Sequence, residues 1–202
     1  MIVAICGRRR TGKDTLANAL VRLGGFVHVK FADPLKAGAR AIFGFTEAQV
    51  EHDSKDHVDP AWGVTPRQAL QWLGTEVMQF HIRELLPHQG RDFWARQLVR
   101  RIQSVDGAVV VSDVRFLHEF QALKDAFGER LLVVRTTREG YVRDQTSDSH
   151  TSELDVDAIP ADLELCSLAE IQAAARVLAE DPCHAPDRKF LTSLQLRAPA
   201  SE

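Results

Sequence analysis

Ile2-Val3-Ala4-Ile5-Cys6-Gly7-Arg8-Arg9-Arg10-Thr11-Gly12-Lys13-Asp14-Thr15 decides the fold. Ile2 to Cys6 is a short apolar β-prone run of the kind buried on both faces of a parallel sheet. Gly7 to Gly12 can only be a loop. Leu16, Ala19, Leu20 and Leu23 then recur at helical spacing up to Gly24-Gly25, a stop signal. A strand, a glycine-bounded turn and a helix therefore follow one another, and the turn reads G-x-x-x-x-G-K, the core of a phosphate-binding loop. Glycines let the backbone turn so that N–H groups face phosphate oxygens. The helix N-terminus adds partial positive charge, and Lys13 adds a mobile ammonium that reaches the β- and γ-phosphates. Gly7, Arg8, Arg10, Thr11, Gly12, Lys13, Asp14 and Thr15 are accordingly the expected binding residues for ATP. One position departs from the motif: Asp14 stands where a Ser or Thr would meet Mg²⁺, with Thr15 one residue later. Asp14 is expected to hold a magnesium-bound water or to face the acceptor, and Thr15 to meet a phosphate. The departure argues against an ordinary GTPase or motor ATPase.

Outward from this turn the chain alternates short apolar runs with longer helical patterns. Strands are expected at Phe26 to Phe31, Ala108 to Val111, Leu131 to Val134 and Leu163 to Cys166. Helices are expected from Pro34 to about Phe43, from Thr65-Pro66 towards Pro87, after Asp92, over Phe116 to Phe127 and over Leu168 to Leu178. Residues 52 to 64 read as a loop. This alternation implies parallel βαβ units, an α/β class fold with helices on both faces of a mainly parallel sheet. Ligands on such sheets bind at the carboxyl ends of the strands. Residues 1–180 form the expected domain, with a small mobile lid at about 136–152. The tail, 181–202, stays unassigned.

The totals narrow the class further. The chain has 202 residues, 45% apolar and 26% charged, the profile of an ordinary globular domain, and a formal net charge of −3 provides no global basic field for nucleic acid. Cys6, Cys166 and Cys183 are far apart and lack metal-site spacing, so no disulfide framework is implied, and Cys6 reads as a buried small hydrophobe. No run approaches the roughly 18 apolar residues of a membrane span. The expectation is a cytoplasmic protein without nucleic-acid or membrane partners.

Several further motifs stand in order along the chain: Phe31-Ala32-Asp33-Pro34-Leu35-Lys36, Arg67-Gln68-Ala69-Leu70-Gln71-Trp72-Leu73-Gly74-Thr75-Glu76, Ser112-Asp113-Val114-Arg115-Phe116 with Glu119, and His150-Thr151-Ser152-Glu153. Together with Gly12-Lys13-Asp14-Thr15 they give the chain a resemblance to the phage-type deoxynucleoside monophosphate kinases, over residues 1 to about 180. The resemblance implies a P-loop NTPase fold in three layers and ATP- and Mg²⁺-dependent phosphoryl transfer to a deoxynucleoside monophosphate, giving a diphosphate and ADP. It also implies a homodimer as one option and, for a phage gene, the host cytoplasm. The pattern is more distantly similar to phosphomevalonate and dephospho-coenzyme A kinases, so a different phosphorylated acceptor is the alternative. A non-kinase nucleotide-binding switch is the other.

Each remaining candidate has a bland reading beside the functional one. Asp33 is either the N-cap of the following helix or a catalytic carboxylate that orients the acceptor. Lys36 is a surface charge or a phosphate ligand. Arg67, Gln71, Gly74 and Thr75 fall on one helical face by the i, i+4, i+7, i+8 rule, so they line a nucleotide pocket or a solvated stripe. The Arg67 guanidinium suits a monophosphate. Trp94 stacks on a base or packs in the core. Asp113 ends the most apolar strand, where a carboxylate meets Mg²⁺, and Arg115 follows as a catalytic or substrate-binding cation. Arg135, Arg138 and Arg143 border or occupy the polar stretch 136 to 152. Arg138 is the first choice there for a cation that closes over the phosphates and stabilises the transferred group. His150 and Glu153 are given no chemistry. The expected metal ligands are Asp14 and Asp113. The expected catalytic set is Lys13, Asp33, Arg115 and Arg138.

Overall fold

The computed structural model describes residues 1–51, 53–89, 92–138 and 156–182. They form two compact units, Met1–Lys30 with residues 98 onward, and Phe31–Gln97.

The first unit holds a five-stranded, all-parallel sheet in the order β2-β3-β1-β4-β5, with β1 Ile2–Cys6, β2 Val27–Val29, β3 Val109–Val114, β4 Leu131–Thr136 and β5 Leu163–Leu165. β1 is central and buried along its whole length. Its in-register partners in β4 run from Ile2↔Leu131 to Cys6↔Arg135. The helix α1 (Lys13–Gly24) follows β1 and packs along the helix that begins at Leu168. Leu16, Ala17 and Leu20 of α1 meet Val3, Ile5, Val110, Leu132 and Val134 on one face of the sheet. Leu23, expected on that face, is exposed, and Ala17 takes the inward position. The alternate residues Ile2, Ala4, Val109, Val111, Leu131 and Val133 are equally buried, so the sheet is covered on both sides.

Handedness explains the two layers of helices. The β1-to-β2 crossover runs one way across the sheet, and the β3-to-β4 crossover runs the other. Right-handed connections then place their helices on opposite faces. The neighbours β1 and β4 also send the chain in opposite directions, α1 leading to β2 and the segment after β4 leading to β5. Their carboxyl ends therefore flank a topological switch point, the place where such sheets bind ligands.

The polar end of β3 extends further than its composition suggests. Ser112, Asp113 and Val114 stay in the strand, and the register against β1 slips between Ala4 and Cys6. A bulge of this kind re-aims side chains beside a site. Ser112 is buried and shares a 2.7 Å hydrogen bond with His28 Nε2 of β2, which explains how a polar residue continues a buried strand.

The second unit has a small core of Ala39, Phe45, Val50 and Ala69. It is built from α2 (Ala32–Phe43), α3 (Glu47–Glu51), α4 (Pro66–Gln71) and α5 (Ile82–Leu85), with a 3₁₀ turn, Asp53–Asp56, inside the expected loop. α4 starts as its sequence requires. Thr65 caps it, accepting from the Gln68 N–H at 3.1 Å while Gln68 returns a side-chain acceptor to the Thr65 N–H at 2.9 Å, and Pro66 occupies the first turn. The chain then widens into a π-helical stretch, Trp72–His81, before α5. Asp33 does not cap α2: Phe31 is the N-cap, and Asp33 lies within the first turn, where its charge suits the helix dipole.

The chain returns to the first unit through α6 (Phe93–Gln103). There α7 (Leu117–Phe127) packs on β4 and buries Leu123 and Phe127, and α8 (Leu168–Glu180) is the helix that lies along α1. α8 carries a capping box between Ser167 and Glu170. No helix of the described residues is long and apolar enough to cross a membrane.

Candidate functional site

The turn after β1 has the geometry its glycines imply. Gly7 has φ 145° and Gly12 has φ 99°, both in the region that side chains disfavour. Arg10 joins them at φ 63°, an uncommon conformation for a non-glycine residue. A Cβ on Gly7 would collide with Thr136, whose Oγ1 would lie at 2.7 Å, and with Thr11 Oγ1 at 2.9 Å. A Cβ on Gly12 would meet Ile171 Cδ1 of α8 at 2.6 Å. Gly12 is also the N-cap of α1, and it has no side chain to satisfy the first-turn N–H groups. No side chain caps this end of the 12-residue helix, and the helix dipole places partial positive charge at the turn.

Side chains brace the turn. The Arg8 carbonyl accepts from Thr11 Oγ1 at 2.8 Å and from Lys13 Nζ at 2.5 Å. Thr11 Oγ1 also lies 2.8 Å from Thr136 Oγ1. Asp14 is exposed and receives Lys30 Nζ at 3.3 Å; Thr15 is exposed as well. Beneath the turn, burial pushes the Cys6 thiol up, only partly offset by the Arg135 guanidinium, so Cys6 is the inert apolar residue its context suggests.

A pocket of about 190 Å³ opens at the switch point between the ends of β1 and β4, lined by Gly7, Arg8, Thr11, Arg135 to Arg138, Val156 and Asp157. Four sequence-predicted residues, Gly7, Arg8, Thr11 and Arg138, thus come together. The Arg8 guanidinium donates to Asp157 Oδ2 at 2.5 Å. Arg135 bonds Glu164 at 2.7 Å and the Ile159 carbonyl, so it ties β4 to β5 and to the segment around Ile159.

Thr136, Thr137, Val156 and Asp157 are pocket residues that sequence reasoning missed. A Thr-Thr pair at a strand end carries no motif, and Asp157 contacts Arg8 across 149 positions of sequence.

At the end of β3, Asp113 is half-buried and Arg115 is exposed. The turn between them and α7 is fixed by Glu119, which is 7% exposed. Its Oε2 accepts the N–H groups of Arg115 at 2.9 Å and Phe116 at 3.1 Å. Burial, with a smaller push from Asp113, raises the Glu119 carboxyl to about 8, against the pull of those N–H groups and of Arg115.

In the second unit, Arg67 and Gln71 are exposed on α4. Arg67 is engaged with Asp56 through Nε at 2.5 Å and Nη2 at 3.0 Å. Lys36 bonds Glu51 at 2.6 Å. Gly74 departs from the expected stripe. The π winding turns it inward, where its carbonyl accepts from Trp94 Nε1 at 2.9 Å and a Cβ would meet Leu35 Cδ2 at 2.7 Å. Thr75 remains exposed. Trp94 is half-buried, edge-on to Phe93 with centroids 5.1 Å apart. Arg143, His150, Glu153, Cys183, most of the expected lid and the tail from 183 lie outside the described residues.

The residues fit a magnesium-bound triphosphate. Mg²⁺ takes one or two carboxylates and draws its other ligands from phosphates and water. Asp14, in the first turn of α1, and Asp113, near the carboxyl end of β3, are the carboxylates that could hold it.

No family model matches the chain. It is 29% identical over 169 residues to a protein of Acanthamoeba polyphaga mimivirus named "Putative deoxynucleotide monophosphate kinase", a match that covers 79% of this chain and 83% of that protein. This relative bears out the resemblance to deoxynucleoside monophosphate kinases. Among solved structures, the chain is similar to TT1252 from Thermus thermophilus, at 19% identity and a TM-score of 0.43, covering 89% of this chain and 97% of that one.

Proposed function

We propose that the chain is a nucleotide kinase that transfers the γ-phosphoryl of ATP to the phosphate of a deoxynucleoside monophosphate, giving a diphosphate and ADP. One observation carries the reading. A G-x-x-x-x-G-K turn lies at the switch point of a parallel sheet, with Gly7 and Gly12 at positive φ, a helix N-terminus that no side chain caps and the Lys13 ammonium. The mimiviral relative supports the acceptor class.

The chemistry asks for placement and charge neutralisation more than for a base. A phosphate acceptor is already nucleophilic at neutral pH, so in-line transfer is governed by positioning and by cations aimed at the spreading charge. Lys13 would leave the Arg8 carbonyl for the β- and γ-phosphates. Arg8 and Arg138, on the wall of the pocket beside the turn, are the guanidinium groups assigned to the donor, with Arg10, Thr11 and Thr15. Magnesium bound with the triphosphate would neutralise its β- and γ-oxygens, and Asp14 and Asp113 are the carboxylates assigned to hold it. Asp33, Lys36, Arg67, Gln71, Trp94 and Arg115 are assigned to the acceptor, together with Asp113 in a second role. The Arg67–Asp56 pair is solvent-exposed; such pairs contribute about 0–1 kcal/mol, so Arg67 can exchange its carboxylate for a phosphate at little cost.

An acceptor panel tests the proposal. ADP release is followed by a coupled assay with dTMP, dGMP, a modified dCMP, the ribonucleotides and other phosphorylated metabolites. Release that depends on at least one deoxynucleoside monophosphate is expected. Release that no acceptor stimulates, or that only a non-nucleotide stimulates, would contradict it.

A further inference from the structure

We infer that Thr136, outside every recognised motif, is a positioning residue that holds the phosphate loop in its binding shape through a chain of hydroxyl hydrogen bonds. The inference rests on the phosphate-loop reading above and assigns that loop a support from β4.

Counting protons orders the chain. A hydroxyl has one proton. Thr11 gives its proton to the Arg8 carbonyl at 2.8 Å, so the proton in the 2.8 Å contact between Thr11 and Thr136 comes from Thr136. The series runs from Thr136 to Thr11 to the Arg8 carbonyl, and that carbonyl's other lone pair takes Lys13 Nζ at 2.5 Å. Thr136 is fully buried and Thr11 is 6% exposed, so the contact between the two hydroxyls is shielded from bulk water while both are in place. Thr136 pairs with Leu165 of β5, and Arg135 just before it pairs with Cys6 of β1. Its backbone is therefore a fixed post, and its hydroxyl transmits that rigidity to the one carbonyl that sets both the turn and the resting place of the Lys13 ammonium. Gly7 shows the same closeness from the other side, since the Thr136 and Thr11 hydroxyls occupy the space a Cβ would need.

Removing the Thr136 hydroxyl frees the Thr11 hydroxyl to rotate and leaves the loop less ordered before phosphate arrives. Loss of preorganisation weakens binding more than it slows the later step. One neutral hydrogen bond of ordinary strength corresponds to about a 5- to 10-fold change in affinity.

The test is calorimetric titration of MgATP into the full chain and into Thr136→Val, Thr136→Ser and Thr136→Ala, with Tm measured for each. Valine keeps the shape and loses the hydroxyl; serine keeps the hydroxyl and loses a methyl. The expected order of affinity is wild type equal to Ser within about twofold, with Val and Ala both about 5- to 10-fold weaker. Tm should follow volume instead, with Val above Ser. If Val fails to fold, Ser against Ala, which differ by one oxygen, decides the matter. Affinities that track Tm, or that are equal in all four proteins, would overturn the inference while leaving the phosphate loop intact. A wild-type chain that binds no MgATP would overturn the phosphate-loop reading and this inference with it.

Discussion

Glu119 shows how a single buried side chain sets a local shape and a pH dependence together. Its carboxyl titrates near 8 in the folded chain against 4.5 as the ordinary value, chiefly because it is buried. Between those pH values the folded state keeps a proton that the unfolded state releases. Stability therefore falls as pH rises from about 4.5 to about 8 and levels off above, with a slope of at most about 1.4 kcal/mol per pH unit. Glu119→Gln keeps an acceptor for the Arg115 and Phe116 N–H groups and removes the titration. Urea denaturation at pH 5.5 and 7.5 in the presence of a chelator should show wild type losing stability relative to the variant at the higher pH. Parallel behaviour of the two proteins would contradict the burial argument. The sequence placed Glu119 in a motif, but nothing in its spacing showed that it holds the backbone of the residues before α7. That knowledge needs the turn itself.

Capping boxes are the element-scale features most open to reading in advance, because they are local. Thr65-Pro66 announced α4, and the Ser167/Glu170 box sits where the start of α8 was expected. Ser167→Ala removes an oxygen that accepts the Glu170 N–H at 3.2 Å, and should cost about 1 kcal/mol, or roughly 2–4 °C in Tm for a chain of this size. An unchanged Tm in differential scanning calorimetry would show that packing against α1 alone holds that end. Elements shaped by tertiary pairing were less legible. β3 carries on through Ser112 and Asp113 because pairing with β1 resumes at Cys6↔Val114 beyond the slip in register and His28 of β2 bonds the Ser112 hydroxyl, whereas composition alone stops the strand at Val111. The π winding of Trp72–His81 likewise has no local signature. It moved Gly74 from an expected pocket face into contact with Leu35 and Trp94.

At the scale of the molecule, alternation of apolar runs was sufficient to predict a parallel α/β sheet, and the order β2-β3-β1-β4-β5 supplies what alternation cannot, the position of the switch point. That order brings Gly7, Arg8 and Thr11 beside Arg135 to Arg138, more than 120 residues away, and adds Thr136 and Asp157 to a site that sequence spacing had limited to the loop and Arg138. The central claim is that the turn after β1 grips a donor triphosphate for transfer. Its most direct measurement follows γ-labelled phosphate from ATP to deoxynucleoside monophosphates in wild type and in Lys13→Ala, with Tm recorded for both. Wild type is predicted to yield labelled diphosphate, and the variant to lose about a hundredfold or more of that rate with its Tm unchanged. A folded Lys13→Ala variant that transfers label at the wild-type rate would contradict the account.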